Sequence, residues 1–469
     1  MADHTKPSKK QWILNAGIMN TPGHLGSGLW RHPRNQTTRY NDIEYWTNFA
    51  QILEAGKFHG IFLADVLSHY DVYKGPRNID ASLPGVAQLP TSDPLFIIPA
   101  MAAVTKNLSF VVTVSTTYEN PYLLARKLTT LDHLTKGRIS WNVVTSHLEG
   151  AARNLGLNTQ IPHDERYQIA EEFLTATYKL WEGSWREDAV VKSNGQYTVP
   201  GRVRSINHEG KYFKTEGPLA SEPSIQRTPL LFQAGTSTAG KAFGTKHAEC
   251  LFVPGSDPKK VRQSIEDIHK VAVENGRDPT GIKIIVAVTV IVDETDEKAQ
   301  AKYEDYLSYI DTEGVLALFG GWTGVDLSKF GDDDDFKFTG PPLVQSLATS
   351  WSTTIPGTEG VKWTKRRLAK ELGVGGIHPR IVGSPKTVAD YLQKWQEESG
   401  VDGFNLGTAL YPADLEDIVK LLLPELKARG LFWDDYAAST ARENYLGDGL
   451  GPKLRKDHPG SKYTWHADQ

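Results

Sequence analysis

Apolar positions along the chain gather into short, nearly unbroken runs separated by longer stretches of mixed character. The runs fall at Trp12–Ala16, Gly60–Ala64, Leu108–Ser115, Arg138–Val144, Pro229–Gln233, Glu249–Val253, Ile282–Val292 and Asp402–Gly407. A strand covered on both faces reads as a continuous apolar run, whereas a strand with one wet face alternates, so the pattern predicts eight buried parallel strands. The amphipathic stretches between them include Asn41–Lys57, Pro94–Lys106, Pro121–Leu134, Asp164–Glu182, Pro258–Glu274, Pro385–Ser399 and Pro412–Arg429, which predict helices. Several open with Pro or Asp, residues suited to a helix N-terminus. Strand and helix alternate about eight times, which predicts an α/β fold of the (β/α)8 TIM-barrel type.

Such a barrel needs only about 250 residues, so a chain of 469 must carry insertions within one barrel domain spanning 1–469. From about 189 to 217, β-forming residues and the pairs Asn194-Gly195 and Glu209-Gly210 predict hairpins ahead of the fifth strand. From about 312 to 383 the chain holds Gly320-Gly321, the acidic run Asp332–Asp335, Pro341-Pro342 and the cluster Gly373–Gly376. Loops of that length inside a compact domain are usually functional or disordered, and this one is expected to form a mobile lid over the barrel mouth.

Composition narrows the partners. Lys and Arg total 52 against 56 for Asp and Glu, a net charge of −4 that offers a polyanion no general attraction, so no nucleic-acid partner is expected. The longest apolar run, Ile284–Val292, is far short of the roughly 20 residues of a membrane span, and no membrane partner is expected. Met1–Gln11 is polar and carries no secretory signal, while the single Cys250 excludes an intramolecular disulfide; both fit a reducing, cytoplasmic setting. None of the 14 histidines falls in an H-E-x-x-H or Cys/His spacing, so no metal is expected.

In a barrel of this type the chemistry gathers where strands end. The second strand ends at Asp65, which either caps the strand or faces a ligand at the mouth. Thr113 lies on one face of the third strand with Ser115 and Thr117, either as ordinary β-formers or as ligand hydroxyls. The fourth strand carries Asn142 and ends at His147, placing an amide and an imidazole at the rim. His163 and Tyr167 stand four apart on the first turn of the next helix, whose free N–H groups and dipole attract anions. The fifth strand runs through Gly235 and Ser237 straight into a helix, which reads as a phosphate cradle. It is not a nucleophile elbow, because Gly240 stands three places after Ser237 where G-x-S-x-G requires two. Gly23-His24-Leu25-Gly26-Ser27-Gly28 has the wrong glycine order for a dinucleotide fingerprint.

Beyond these features the chain resembles the bacterial luciferase-like flavin-dependent monooxygenase superfamily, in its nitrilotriacetate and dibenzothiophene-sulfone monooxygenase branch. The resemblance rests on Lys57–Asp65, Asn120–Leu128, Leu131–Leu134, Gly137–Ser146, Ala151–Asn154, Glu165-Arg166-Tyr167, Gln233-Ala234-Gly235 and Leu423–Leu426, in order along the chain. It implies a two-component enzyme that takes FMN as FMNH2 from a separate NAD(P)H:flavin reductase. With O2 as co-substrate, such an enzyme inserts one oxygen atom into a small organic substrate through a flavin C4a-(hydro)peroxide. By position it implies Asp65, Thr113, Asn142 and His147 around the isoalloxazine, with His147 as the catalytic candidate, and His163, Tyr167, Gly235 and Ser237 on the ribityl phosphate. It also implies a homodimer or homotetramer. Deazaflavin-dependent hydride transfer and flavin binding without turnover remain open as alternatives.

Overall fold

All eight apolar runs are strands in the computed structural model, which describes residues 11–466 apart from Asn194, Thr236, Ser256, Pro356, Gly357, Glu359 and Asp448. Met1–Lys10 of the polar N-terminus and the first residue of the Asn194-Gly195 pair thus lie outside the described residues. The strands are β1 (Ile13–Met19), β2 (Gly60–Ala64), β3 (Ser109–Ser115), β4 (Ile139–Val144), β5 (Leu230–Gln233), β6 (Cys250–Val253), β7 (Lys283–Val292) and β8 (Gly403–Gly407). Neighbours in sequence are neighbours in the sheet, every pairing is parallel, and β8 returns to β1 in the register Ile13↔Gly403. The sheet therefore closes on itself and has no edge.

Helices pack around it. Those that recur below are α1 (Ile43–Ala55), α2 (Pro121–Thr135), α3 (His163–Tyr178), α4 (Thr238–His247), α5 (Pro258–Glu274), α6 (Asp296–Tyr309), α7 (Thr312–Thr323), α8 (Pro342–Thr354), α9 (Lys365–Leu372), α10 (Pro385–Ser399) and α11 (Ala441–Leu446). Three of them start as the sequence predicts: Asn120, Asp257 and Ser384 each accept a backbone N–H of the first turn, and a proline follows each cap. The proline is harmless there because that N–H has no helical partner in any case.

Alternation along each strand sorts the side chains into two cores. Leu14, Ala16, Phe110, Val112, Trp141, Leu231 and Phe404 face outward and meet Phe49 and Leu53 of α1 and Phe173 of α3. Burying one such side chain contributes about 1.5–3 kcal/mol. Ile13, Val111, Phe232, Cys250 and Ile285 face the barrel axis, where Ala441 and Tyr445 of α11 close the N-terminal end. Closing one end of the barrel in this way leaves the C-terminal mouth for a ligand.

The stretch around 189–217 is hairpin material, with antiparallel pairs Val190–Ser193/Gln196–Thr198 and His208–Glu209/Lys214–Thr215. The 312–383 stretch is helical, and it has a core of its own. Val315, Phe319, Leu327, Phe336, Trp363 and Leu368 pack together and onto Tyr70, Tyr73 and Ala87 of the long loop after β2. The acidic run serves local structure: Asp332 pairs with Lys365 at 2.7 Å, and Asp335 accepts the Trp363 N–H at 3.1 Å. The insertion ends in a short strand, Arg380–Gly383, that pairs parallel with the second half of β7. That extra partner explains why β7 runs ten residues.

Candidate functional site

The mouth holds a cavity of about 350 Å³, within the range of small-molecule and cofactor sites. Its wall comes from four consecutive places in the barrel: the end of β2 with Asp65 and Leu67, the end of β4 from Val143 to Leu148, the first turn of α3, and the turn from β5 into α4. Of the eight candidate residues, Asp65, His147, His163, Tyr167, Gly235 and Ser237 line it. Thr113 and Asn142 do not. They are register partners on β3 and β4 inside the barrel, where the Asn142 amide donates to the Thr113 hydroxyl at 2.9 Å and leaves its own Oδ1 buried without a partner.

The phosphate-seeking candidates converge although the two pairs lie about 70 residues apart in sequence. The His163 and Tyr167 rings meet edge-on at 5.2 Å, and Nδ1 of His163 is 2.7 Å from Oδ1 of its neighbour Asp164. Across from them, Ser237 caps α4 by accepting the Gly240 N–H at 3.0 Å. A Cβ at Gly235 would stand 2.2 Å from the Gln233 amide and 3.0 Å from the Tyr167 hydroxyl, and one at Gly240 would stand 2.6 Å from that hydroxyl. Only bare backbone lets the α4 terminus come this close to Tyr167. The first N–H groups of a helix have no intrahelical acceptor, so this terminus presents donors and a positive dipole end.

Arg166 is the functional residue that the spacing argument missed. It is buried, its Nη1 donates to the carbonyl of Ser146, and its Nε has no partner although no water reaches it. Ser146 takes a left-handed φ of 53° at the end of β4. A buried donor left bare costs about 1–3 kcal/mol, and the residue as a whole places a guanidinium on the cavity wall. The sequence did hold a signal: Arg166 falls on the same stripe of α3 as the buried Ala170, Phe173 and Leu174, where an aliphatic residue would ordinarily stand.

Electrostatics separates the remaining groups. Burial pushes the Asp65 carboxyl up to about 7, the nearby Asp93 adds to the shift, and a backbone N–H from Val66 only partly opposes it. His147 is exposed by area yet sits in a concave wall crowded by atoms. That burial, with the Arg166 guanidinium, lowers its basicity, while a hydrogen bond to the backbone of Gly321 works the other way. Both groups can therefore be neutral near pH 7. Among the described residues no group of three or more His, Cys, Asp or Glu is placed to hold a metal ion, and no helix is long and apolar enough to cross a membrane.

Comparison with known proteins gives this geometry a family. Residues 25–403 match the family model described as luciferase-like monooxygenase. The chain is 45% identical over 457 residues to dimethyl-sulfide monooxygenase of Hyphomicrobium sulfonivorans, covering 97% of this chain and 94% of the relative. It is 46% identical over 456 residues to long-chain alkane monooxygenase of Geobacillus thermodenitrificans, covering 97% and 98%. The crystal structure of the Hyphomicrobium protein superposes with a TM-score of 0.92 at 44% identity, covering 97% of this chain and 96% of that one. A riboflavin lyase crystallised with modified FMN and riboflavin gives a TM-score of 0.87 at 35% identity, covering 97% and 100%. A closed barrel with a cavity at its mouth and near-complete coverage at these identities lead to one conclusion: the chain is an enzyme of the luciferase-like monooxygenase family.

Proposed function

We propose that the protein is an FMN-dependent monooxygenase that uses reduced FMN made elsewhere and acts on a small, uncharged organic molecule. The observation that carries the reading is the buried Arg166, which lines the cavity together with Tyr167, Ser237 and the first turn of α3. One guanidinium, two hydroxyls and a helix N-terminus are the donor set of a phosphate monoester. FMN fits this set, whereas riboflavin carries nothing for it to hold.

When bound, reduced flavin supplies the activation of O2: one oxygen atom enters the substrate, the other leaves as water, and the flavin ends oxidised. The chain's own part is to bind, orient and exclude water. Arg166, Tyr167, Gly235, Ser237 and the start of α4 would hold the phosphate, with His163 beside them. Asp65 and His147, at the ends of β2 and β4, would face the ring system and hold or accept a proton there. Leu67, Val143, Leu148 and Ala151 give the cavity an apolar flank, in keeping with an uncharged substrate. Two relatives at 45% and 46% identity bear the names of such substrates, a sulfide and alkanes. The sequence carries no dinucleotide fingerprint, which supports a separate NAD(P)H:flavin reductase as the source of electrons.

The test is anaerobic titration with reduced FMN and reduced riboflavin, followed by admission of oxygen. FMN is expected to bind at least about tenfold more tightly, the worth of one or more charged hydrogen bonds. Oxygen should then be consumed with product formed when an alkyl sulfide or alkane is present. Equal affinity for the two flavins would overturn the phosphate seat. Peroxide release at the free-flavin rate with every substrate offered would overturn the monooxygenase reading for this chain.

A further inference from the structure

The loop after β2 is tied to two places at once. On one side it meets the short helix Glu149–Asn154, which follows β4 and carries Ala151 on the cavity wall. Asp71 accepts from Arg153 at 2.5 Å, and only 12% of the Asp71 side chain is exposed. The Ser68 hydroxyl accepts the Asn154 amide at 3.4 Å. A Cβ at Gly150 would lie 2.5 Å from that hydroxyl, so glycine is what lets this helix lie against the loop.

On the other side the same stretch grips the insertion. The Tyr70 hydroxyl accepts the Trp322 indole N–H at 3.2 Å, the Tyr73 hydroxyl donates to Glu313 at 3.3 Å, and Lys74 forms an ion pair with Glu313. Asp326, just past α7, takes two successive backbone N–H groups, those of Lys74 at 3.1 Å and Gly75 at 3.2 Å. Lys74 and Gly75 adopt left-handed φ of 63° and 105°, in a turn of the kind that aims adjacent N–H groups at one anion. Packing follows the same path: Leu148 and Ala151 of the wall, Tyr70 and Tyr73 of the loop, and Val315 and Phe319 of α7 belong to a single buried cluster. Ser68–Gly75 is thus a strap with the cavity wall on one side and the insertion on the other.

We propose that Asp71 is a positioning residue: its bond to Arg153 makes the cavity wall, the strap and the insertion one cooperative unit, so that the insertion sets where the wall stands when a ligand meets it. The inference deepens the flavin reading, on which it rests for what occupies the cavity. Taking one partner out of a largely buried ion pair strands the other charge, so the helix that carries Ala151 does not leave the strap alone. Asp326 imposes the same condition at the far end, because losing its carboxylate strips two backbone donors of their acceptor together. Segments joined in this way open as one unit, whereas segments that merely adjoin open separately, each with its own free energy. A ligand that presses on Leu148 and Ala151 would then order the insertion through the strap.

Native-state hydrogen exchange on the flavin-free protein reads the unit directly. Amides of the helix Glu149–Asn154 and of α7 should share one opening free energy, lower than that of the barrel strands. The side-chain bonds of Asp326 go to the strap and to Ser328, none of them to the wall. Asp326→Asn should nevertheless speed exchange in Glu149–Asn154 about tenfold, the worth of one charge-assisted hydrogen bond, while the barrel strands keep their rates. Asp71→Asn should do the same to α7, and Asp71→Arg combined with Arg153→Asp should restore slow exchange in both segments. An Asp326→Asn protein in which the insertion alone loosens overturns the proposal. So does wild-type protein in which the two segments open with different free energies, a comparison that stands even if the variants fail to fold. FMN affinity, measured separately, keeps the two readings apart: shared opening without FMN binding removes the flavin alone, and tight binding with independent opening removes this inference alone.

Discussion

Two arginines at the closed end of the barrel, Arg442 and Arg138, are held differently from Arg166 at the open end. At the closed end, Arg442 of α11 donates to both oxygens of Glu249 at 2.7 and 3.0 Å, to the Thr228 carbonyl at 3.0 Å, and to the carbonyl of Pro452. Arg138, just before β4, spreads its guanidinium over the carbonyls of Ala102, Thr105, Leu108 and Thr135 and the hydroxyl of Thr105. At the open end, Arg166 is held by one carbonyl and keeps a bare Nε. A satisfied buried charge holds structure in place, and breaking it leaves its partner stranded. Arg166 makes fewer bonds and lies on the cavity wall.

Substitutions can break that contrast, and the largest effect is expected at the closed end. Arg442→Ala should cost about 3–5 kcal/mol in urea unfolding, because Glu249 would remain buried and charged. Next, Arg166→Gln should lower FMN affinity about 10- to 100-fold, leave riboflavin affinity unchanged, and cost far less stability than Arg442→Ala. Calorimetric titration beside the unfolding curve decides between them, and a stability loss at Arg166 matching that at Arg442 would erase the distinction. Tyr167→Phe and Ser237→Ala should each weaken FMN binding by about 1–2 kcal/mol. Only the serine change should also destabilise the protein, by about 1 kcal/mol through loss of the α4 cap, which thermal melts would register.

A separate effect is expected in pH dependence. The folded protein holds the Asp65 proton up to about pH 7, while an unfolded aspartate releases it near 3.8. Fewer protons are then bound in the unfolded state across that window. Stability should therefore decline as pH rises through it, and the whole penalty should be present above about 7. Asp65→Asn should flatten the decline in unfolding curves taken across that window. A slope unchanged by the substitution would mean that Asp65 is solvated and ionised at the mouth.

The sequence by itself determined the barrel, because its signals are local. Each strand is a continuous apolar run, each helix has its period, and Asn120-Pro121, Asp257-Pro258 and Ser384-Pro385 mark helix starts by chemistry that needs no distant partner. It also pointed to six residues that line the cavity, since strand ends and glycine turns announce where a barrel keeps its open backbone. What tertiary structure decided depends on distant atoms. Thr113 and Asn142 share one hydrogen bond inside the barrel instead of lining the cavity, because neighbouring strands put a hydroxyl 2.9 Å from an amide. Arg166 became a candidate only when its buried Nε was found without a partner. The insertion, which reads in sequence as glycine, proline and acid, forms a core with the loop after β2, and that core reaches Leu148 and Ala151 on the cavity wall. Hydrogen-bond satisfaction is a property of the assembled neighbourhood, and no periodicity along the chain encodes it.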